Sequence, residues 1–315
     1  MRALITGVNG QDGAYLARTL IQKGYEVIGT SRDAENSIQN NLINLGISDQ
    51  VTLVSLHIND FRDVAEVLRK YRPDEIYLLA GQSSVGLSFS RPVQSIEEPV
   101  IGLLNFLEAV KILELDCRIY NAGSSECFGD NSLIINEESR FEPKSPYAVG
   151  KASAYWLASN YRDAYGIHIS TGFLFNHESP LRPNRFVTKK IINGARDIHL
   201  SKKASLKLGN IEVCRDWGWA EEYVETMWLM LQEDRADDYV VATGRTESLR
   251  YFLDITFKYF DLDWKDFVEF DTEFIRPNDL NMSHADPSKI RKSLGWKAKY
   301  DVDDVVRFMC EDLCL

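Results

Sequence analysis

Residues 2–6 (Arg-Ala-Leu-Ile-Thr) form a short, mostly apolar run that stops at Gly7-Val8-Asn9-Gly10-Gln11-Asp12-Gly13, where helical spacing begins. A buried strand that passes through glycines directly into a helix leaves a chain few folds to choose from. Glycine permits the sharp turn and close backbone approach, and the helix N-terminus facing the turn favours negative charge. The glycines run G-x-x-G-x-x-G rather than in the G-x-G-x-x-G order of the simplest dinucleotide fingerprint. Most isolated glycine clusters are turns, but one at the first strand–helix junction points to a pyrophosphate. Gly7, Gly10, Gln11, Asp12 and Gly13 are therefore candidate cofactor-binding residues.

The rest of the chain extends this pattern. Further strands are expected at Glu26–Thr30, Val51–Leu56, Glu75–Ala80, Cys117–Ala122 and Ile167–Phe173. Helices are expected at Asp12–Lys23, Arg62–Tyr71, Val100–Leu113 and Pro146–Tyr165. Strands alternating with helices predict an α/β fold, a Rossmann-type doubly wound parallel sheet covered on both faces. Beyond about residue 175 the alternation loosens. Asn176–Arg185 and residues 276–285 read as polar loops, and helices are expected at Phe186–His199, Glu221–Gln232 and Leu249–Phe260, with strands near Leu206–Leu208 and Tyr239–Ala242. The expected division is a cofactor-binding domain over residues 1–175, which some later segments rejoin, and a smaller C-terminal α/β substrate lobe over 176–315.

The end of the second strand bears on the cofactor. An acid there suits the ribose 2′-hydroxyl of NAD, and an Arg suits the 2′-phosphate of NADP. The chain has Thr30-Ser31-Arg32-Asp33: Arg32 and two hydroxyls favour NADP, and Asp33 keeps NAD open.

Tyr147 and Lys151 stand four residues apart on an expected helix, on one face and one turn apart. A phenol ordinarily ionises near pH ~10, and a neighbouring ammonium is expected to lower that value. Ser124 offers a hydroxyl and Glu126 a carboxylate that simple alcohol oxidation does not require. A lone Tyr/Lys pair is usually packing and snorkelling, and a lone Glu is as often a surface residue. The glycine turn upstream gives the set its chemical meaning.

A net charge of −11 argues against general affinity for nucleic acid or anionic membrane, without excluding small anionic ligands. Five cysteines (Cys117, Cys127, Cys214, Cys310 and Cys314) lack C-x-x-C spacing and a disulfide-like framework, so a reducing cytoplasm is the simplest compartment. Five scattered histidines make a metal centre an unlikely expectation. No apolar run reaches membrane-spanning length, and a strand at the very N-terminus leaves no room for a signal peptide.

Further motifs accompany these: Gln82-Ser83-Ser84-Val85, Ser124-Ser125-Glu126, Ser145-Pro146-Tyr147, Phe175-Asn176-His177-Glu178-Ser179-Pro180, Phe186-Val187-Thr188-Lys189-Lys190, Leu208-Gly209-Asn210, Arg215-Asp216-Trp217-Gly218 and Arg276-Pro277. With them the chain resembles, almost end to end, the extended short-chain dehydrogenase/reductases and, within these, the GDP-mannose 4,6-dehydratases. The resemblance implies a lyase that moves a hydride from C4 to C6 of a GDP-sugar through NADP and eliminates water. It implies Ser124, Glu126, Tyr147 and Lys151 as catalytic residues. It adds Asp60, Leu79, Ala80, Gln82 and His177, with Tyr147 and Lys151, to the cofactor contacts. Substrate contacts are implied at Ser83, Ser84, Asn176, Val187, Lys190, Gly209, Arg215, Arg276 and Asp279. Most Lys and Arg in polar loops are merely solvated, and only their motif positions single out these three.

The chain also departs from the family pattern. Ser124 stands where Thr is frequent, His57 near where an Asp commonly contacts adenine, Gly81 for Ala, Pro183 for Gly and Asp279 for Glu. The segment after Arg32 is shorter and lacks a second Arg, which weakens the expectation of a tetramer built through this loop, whereas apolar faces at 100–113 and 146–165 lead to the expectation of a homodimer. The alternatives are a related GDP-sugar such as a manno-heptose, a GDP-4-keto-6-deoxyhexose reductase or epimerase on the same scaffold, and a non-catalytic cofactor-binding regulator.

Overall fold

The structure is a computed structural model that describes residues 1–130, 134–274 and 276–313. The first half runs β1 (Arg2–Thr6), α1 (Gln11–Gln22), β2 (Glu26–Ser31), α2 (Asn40–Asn44), β3 (Val51–Ser55), α3 (Phe61–Tyr71), β4 (Glu75–Leu78), α4 (Val85–Ser90), α5 (Pro92–Ile112), β5 (Arg118–Ala122), α6 (Pro146–Tyr165) and β6 (Ile169–Leu174). The second half adds β7 (Asn176–Glu178), α7 (Val187–His199), β8 (Leu206–Leu208), β9 (Cys214–Trp219), α8 (Ala220–Gln232), β10 (Tyr239–Val241), β11 (Thr246–Ser248), α9 (Leu249–Tyr259), β12 (Val268–Phe270), α10 (Ser288–Leu294) and α11 (Val302–Asp312).

Seven parallel strands form the main sheet in the order β3-β2-β1-β4-β5-β6-β10. The chain starts at β1, winds outward to β3, then returns to the other side of β1 at β4. That reversal opens a crevice at the strand ends between β1 and β4, the usual ligand position in such sheets. Alternation along each strand fills both faces. Ala3 and Ile5 pack with Tyr15, Leu16 and Leu20 of α1 and with Tyr223, Val224 and Met227 of α8. Leu4, Ile28, Ile76 and Ile119 face Val64 and Leu68 of α3, Phe106 and Leu107 of α5, and Ala158 of α6.

β10, α8 and α10 therefore return from the second half to the first, so the sequence order and the spatial division cross. A separate core joins Ile191 and Ile192 of α7, Trp217 of β9, Phe252 and Phe257 of α9, and Val305 and Met309 of α11. A three-stranded sheet, β11-β9-β7, carries this lobe, and Phe175 alone separates β6 of the large sheet from β7 of the small one. Among the described residues no helix is long and apolar enough to cross a membrane. Cys117, Cys127 and Cys214 are free thiols, Cys310 is buried, and Cys314 lies outside the described residues.

Two expectations need correcting. Asn176–Arg185 is not all loop: Asn176–Glu178 pairs in parallel with Trp217–Trp219. Its polar sequence hid a strand whose side chains find polar partners instead of apolar ones. Helix α5 begins at Pro92, two turns before the expected Val100, and keeps Pro99 inside it. Pro92 occupies the first helical turn, where a missing N–H is harmless.

The strand end at Thr6 shows what holds the crevice. Its buried hydroxyl accepts from the N–H groups of Leu79 (2.9 Å) and Ala80 (3.0 Å), just past β4. Thr6→Val keeps the shape and leaves both donors without that acceptor, so a loss of about 2–3 kcal/mol is expected by urea denaturation. A loss under half a kcal/mol would contradict this role.

Candidate functional site

The glycine turn fits closely against the neighbouring strand end. Gly7 has φ +70°, and a Cβ there would come within 2.9 Å of Ala80 Cα. A Cβ on Gly13 would lie 2.5 Å from the Gly7 carbonyl oxygen. Gly10 is the N-cap of α1 and contributes no side-chain cap, so the first N–H groups of that helix face the turn. These glycines and the exposed Arg32 just past β2 suit a dinucleotide phosphate. Asp33 is tied into its own turn, accepting from the Asn36 N–H (3.0 Å) and side-chain amide (2.9 Å). Asp60 caps α3 through one oxygen, which accepts from Arg62 N and Asp63 N.

Asp12 and Gln11 reach away from the turn to β7. Asp12 lies 3.0 Å from His177 Nε2, and His177 Nδ1 meets the Phe175 carbonyl at 2.7 Å. Ser179 donates to Gln11 Oε1 (2.8 Å), and the His177 ring stacks on Tyr223 with centroids 4.9 Å apart. Burial pushes the Asp12 carboxyl up, but the His177 charge and hydrogen bond hold it down at about 2. Burial likewise works against the His177 charge, yet Asp12 raises it above the ordinary histidine value. The side chains of three implied cofactor contacts thus form one polar tie between α1 and β7.

Ser124, Glu126, Tyr147 and Lys151 converge past the end of β5. Ser124 caps a short 3-10 turn at Ser125–Phe128, accepting from Glu126 N at 3.3 Å. Tyr147 lies in the first turn of α6, where Ser145 caps the helix by accepting from Ala148 N (3.1 Å). Lys151 donates to the Ala122 carbonyl at 2.7 Å, with its Nζ 5.8 Å from the Tyr147 ring centroid.

The expectation that Lys151 lowers the Tyr147 pKa is overturned in this arrangement. Burial pushes the Tyr147 phenol well above its ordinary value, although a hydrogen bond with Ser124 pulls it down. Burial lowers Lys151 as well, since both charged forms lose water. Burial also raises Glu126, with Arg215 and Arg276 restraining the rise and Asp279 adding to it.

Those last three residues form a second group. One oxygen of Asp279 accepts from Arg215 and from Arg276, each at 3.1 Å. Arg215 is buried in β9, and its neighbour Asp216 accepts from Thr243 N, Thr243 Oγ1 and Gly244 N, which fixes the strand to the β10–β11 turn. Lys190 of α7 lies over the Phe274 ring at 3.5 Å. Gly209 passes so near Phe274 that a Cβ would approach its carbonyl oxygen to 2.7 Å. Asn176 begins β7, and Val187 begins α7. Gln82 donates to Ser84 O (2.8 Å), and Ser84 caps α4, so the segment carrying Ser83 is braced.

Sequence reading missed Glu98, whose carboxylate accepts from Gln82 N at 2.7 Å. An acid one residue before a proline within an apolar helix was the available signal. It also missed Asp130, which accepts from Asn281 and Met282 and ties the polar loop after Arg276 across the site.

A family model described as GDP-mannose 4,6 dehydratase matches residues 4–309. GDP-mannose 4,6 dehydratase 1 of Arabidopsis thaliana is 42% identical over 321 residues, covering 98% of this chain and 89% of that protein. A GDP-mannose 4,6-dehydratase of Sinorhizobium fredii is 42% identical over 337 residues, covering 99% and 96%. Among solved structures, a dTDP-glucose 4,6-dehydratase of Streptomyces venezuelae with NAD and TYD bound superposes with a TM-score of 0.85 at 23% identity, covering 99% of this chain and 98% of that one.

The Asp12–His177 tie carries a pH signature. Asp12 is depressed to about 2, so its contribution is present above the unfolded carboxylate value and lost as pH falls through about 2. His177 is raised, so its contribution is complete below the unfolded histidine value and lost as pH rises through its folded value. His177→Gln should therefore cost most between about pH 4 and 6.5, on the order of 2 kcal/mol, and less on either side. Denaturant melts of both proteins at pH 3, 5 and 9 check this; a pH-independent difference would exclude an ion pair.

Proposed function

The chain belongs to the GDP-mannose 4,6-dehydratase family of hydro-lyases, and on that premise we propose that it converts GDP-mannose to GDP-4-keto-6-deoxy-mannose with a nicotinamide cofactor, NADP in preference to NAD. The observation that carries this reading is Glu126, a carboxyl raised by burial and placed next in sequence to the Ser124–Ser125 pair, under the charges of Arg215 and Arg276. Oxidation or reduction of a carbonyl needs the Tyr/Lys pair; elimination needs an additional acid/base that serves C5 and C6.

The glycine cradle and the N-terminus of α1 would hold the cofactor pyrophosphate, Arg32 the 2′-phosphate, and Lys151 the nicotinamide ribose. When bound, the cofactor supplies the hydride acceptor for C4, the hydride donor for C6 and, when oxidised, a positive charge. Tyr147, aided by Ser124, would receive the C4 hydroxyl proton as its phenolate, a form that burial opposes and that the Ser124 hydrogen bond and the positive charge of an oxidised cofactor would favour. The resulting 4-keto group acidifies C5, and Glu126 takes the C5 proton. Glu126 then gives a proton to the C6 hydroxyl, which leaves as water. The proton held on Tyr147 balances the one C5 must regain, so neither protons nor cofactor are consumed overall. A carboxyl raised towards neutrality suits this two-way role better than an ordinary one. Arg215, Arg276 and Lys190 serve the GDP diphosphate and nucleoside, with Asp279 accepting from ribose hydroxyls.

We assign the cytoplasm as compartment and a homodimer through α5 and α6 as assembly, on the exposed Ile101 and Trp156 of those helices. Pro183 in the loop before α7 favours a second reading for the sugar alone, a GDP-manno-heptose.

Incubation with GDP-mannose and catalytic NADP+ should give a product lighter by one water, with no net NADPH change, by mass spectrometry and absorbance. Absence of water loss from GDP-hexoses and GDP-heptoses alike, or stoichiometric NADPH consumption, favours the reductase or epimerase. Glu126→Gln should bind cofactor normally while dehydration falls at least about a hundredfold; undiminished turnover removes Glu126 from the mechanism. Arg32→Ala should raise the Kd for NADP+ about tenfold and leave that for NAD+ little changed, by calorimetric titration. An equal change for both would mean Arg32 does not read the 2′-phosphate.

A further inference from the structure

A small cavity beside Lys151 lies at the ends of β1, β4 and β5, where Thr6, Ala80, Glu98, Asn121 and Lys151 meet an apolar wall that includes Leu103 and Phe106 of α5. Glu98, half-buried on α5, has no part in the reaction steps above. Its Oε2 accepts from Gln82 N (2.7 Å) and its Oε1 from the Gln94 side chain (2.7 Å). Gly81 sits at φ +137°, a conformation that residues with side chains rarely adopt, and a Cβ there would lie 3.6 Å from Glu98 Oε2. The glycine thus lets the following N–H meet the carboxylate at close range. The Gln82 side chain then reaches Ser84 O and Ser95 Oγ (3.2 Å), so the bonds from α5 fix the whole Gly81–Ser84 segment.

Glu98 and Lys151 line the same cavity. The charged and titratable groups around that ammonium come from four elements: Asp12 on α1, Cys127 on the 3-10 turn, Tyr147 on its own helix and Glu98 on α5. Asp12 is already paired with His177, and burial pushes the Cys127 thiol up to about 12, which keeps it neutral. Glu98 is the carboxylate that shares the cavity with Lys151, and its own hydrogen-bond donors are neutral amides.

We propose that Glu98 is a positioning residue of the dehydratase site, fixing the Gly81–Ser84 segment and supplying the counter-charge to the Lys151 ammonium. Burial lowers the Lys151 pKa and Glu98 opposes that, so a neutral residue here makes Lys151 lose its proton at lower pH. The proposal rests on the reading of Tyr147 and Lys151 as the catalytic pair.

The test is the pH profile of kcat for Glu98→Gln and Glu98→Asp, measured on the full chain with saturating cofactor. The basic limb should move down by about 1 unit in Glu98→Gln and by less in Glu98→Asp. KM for GDP-mannose should rise in both as the Gly81–Ser84 segment loosens. A basic limb that stays in place overturns the proposal even if KM rises, because a bracing role alone moves KM and not the limb. Should Glu98→Gln fail to fold, Glu98→Asp carries the same criterion. Lys151→Met separates the two readings: wild-type turnover in that variant removes the catalytic pair itself, whereas an inactive Lys151→Met beside an unmoved limb in the Glu98 variants removes Glu98 alone.

Discussion

The hydroxyl of Thr6 accepts two N–H bonds from the chain just past β4, and so sets how near the first β–α turn stands to the next strand end. Gly7 and Gly13 are then required by distance, since a Cβ on either would enter space that backbone already fills. The crevice between β1 and β4 owes its width to this contact, and most of the proposed site is arranged around it. Ala80 leads into the Gly81–Ser84 segment, and α1 begins at the turn and carries Asp12 to β7. A change in the β1–β4 spacing would reach the glycine turn, Lys151 and the lobe entrance together.

Electrostatically, the site is governed by loss of water. Burial is the largest influence on Glu126, Tyr147 and Lys151 alike, and in each case it favours the neutral form. Local partners then restore part of the charge: the arginines for Glu126, Ser124 for Tyr147, and Asp12 and Glu98 for Lys151. The pair Asp12–His177 goes the other way, because direct contact outweighs burial for both members. The proposed site thus sets groups held towards neutrality beside a strongly charged pair, a contrast that a shuttle of protons would use.

The alternation of strands and helices was legible because buried parallel strands are nearly all apolar and their crossover helices are long. The convergence of Ser124, Glu126, Tyr147 and Lys151 was legible because they lie on two short segments with distinct chemistry. The strand Asn176–Glu178 escaped notice because its buried residues take polar partners, Asp12 from the far end of the chain for His177, and Thr188 and Arg182 from the following segment for Glu178. The start of α5 was hidden by Pro99, which local rules read as a boundary and which the packing of α6 against α5 accommodates at Gly150. The direction of the Tyr147 shift was misjudged because spacing reports the neighbouring ammonium and says nothing about lost water. Asp279 was assigned from its position in a motif; its contact with both arginines is a tertiary fact that no local pattern encodes.

That shared carboxylate has an entropic consequence. A free arginine side chain carries about 2 kcal/mol of rotamer entropy, which a phosphate must overcome when it orders the guanidinium. Asp279 holds Arg215 and Arg276 on one oxygen, so much of that ordering is complete once the chain has folded. A diphosphate bound as proposed would meet two cations whose mutual repulsion is already screened and whose directions are already set. Its association then draws on geometry prepared in advance, and its cost shifts from ordering side chains to sharing them with a resident anion.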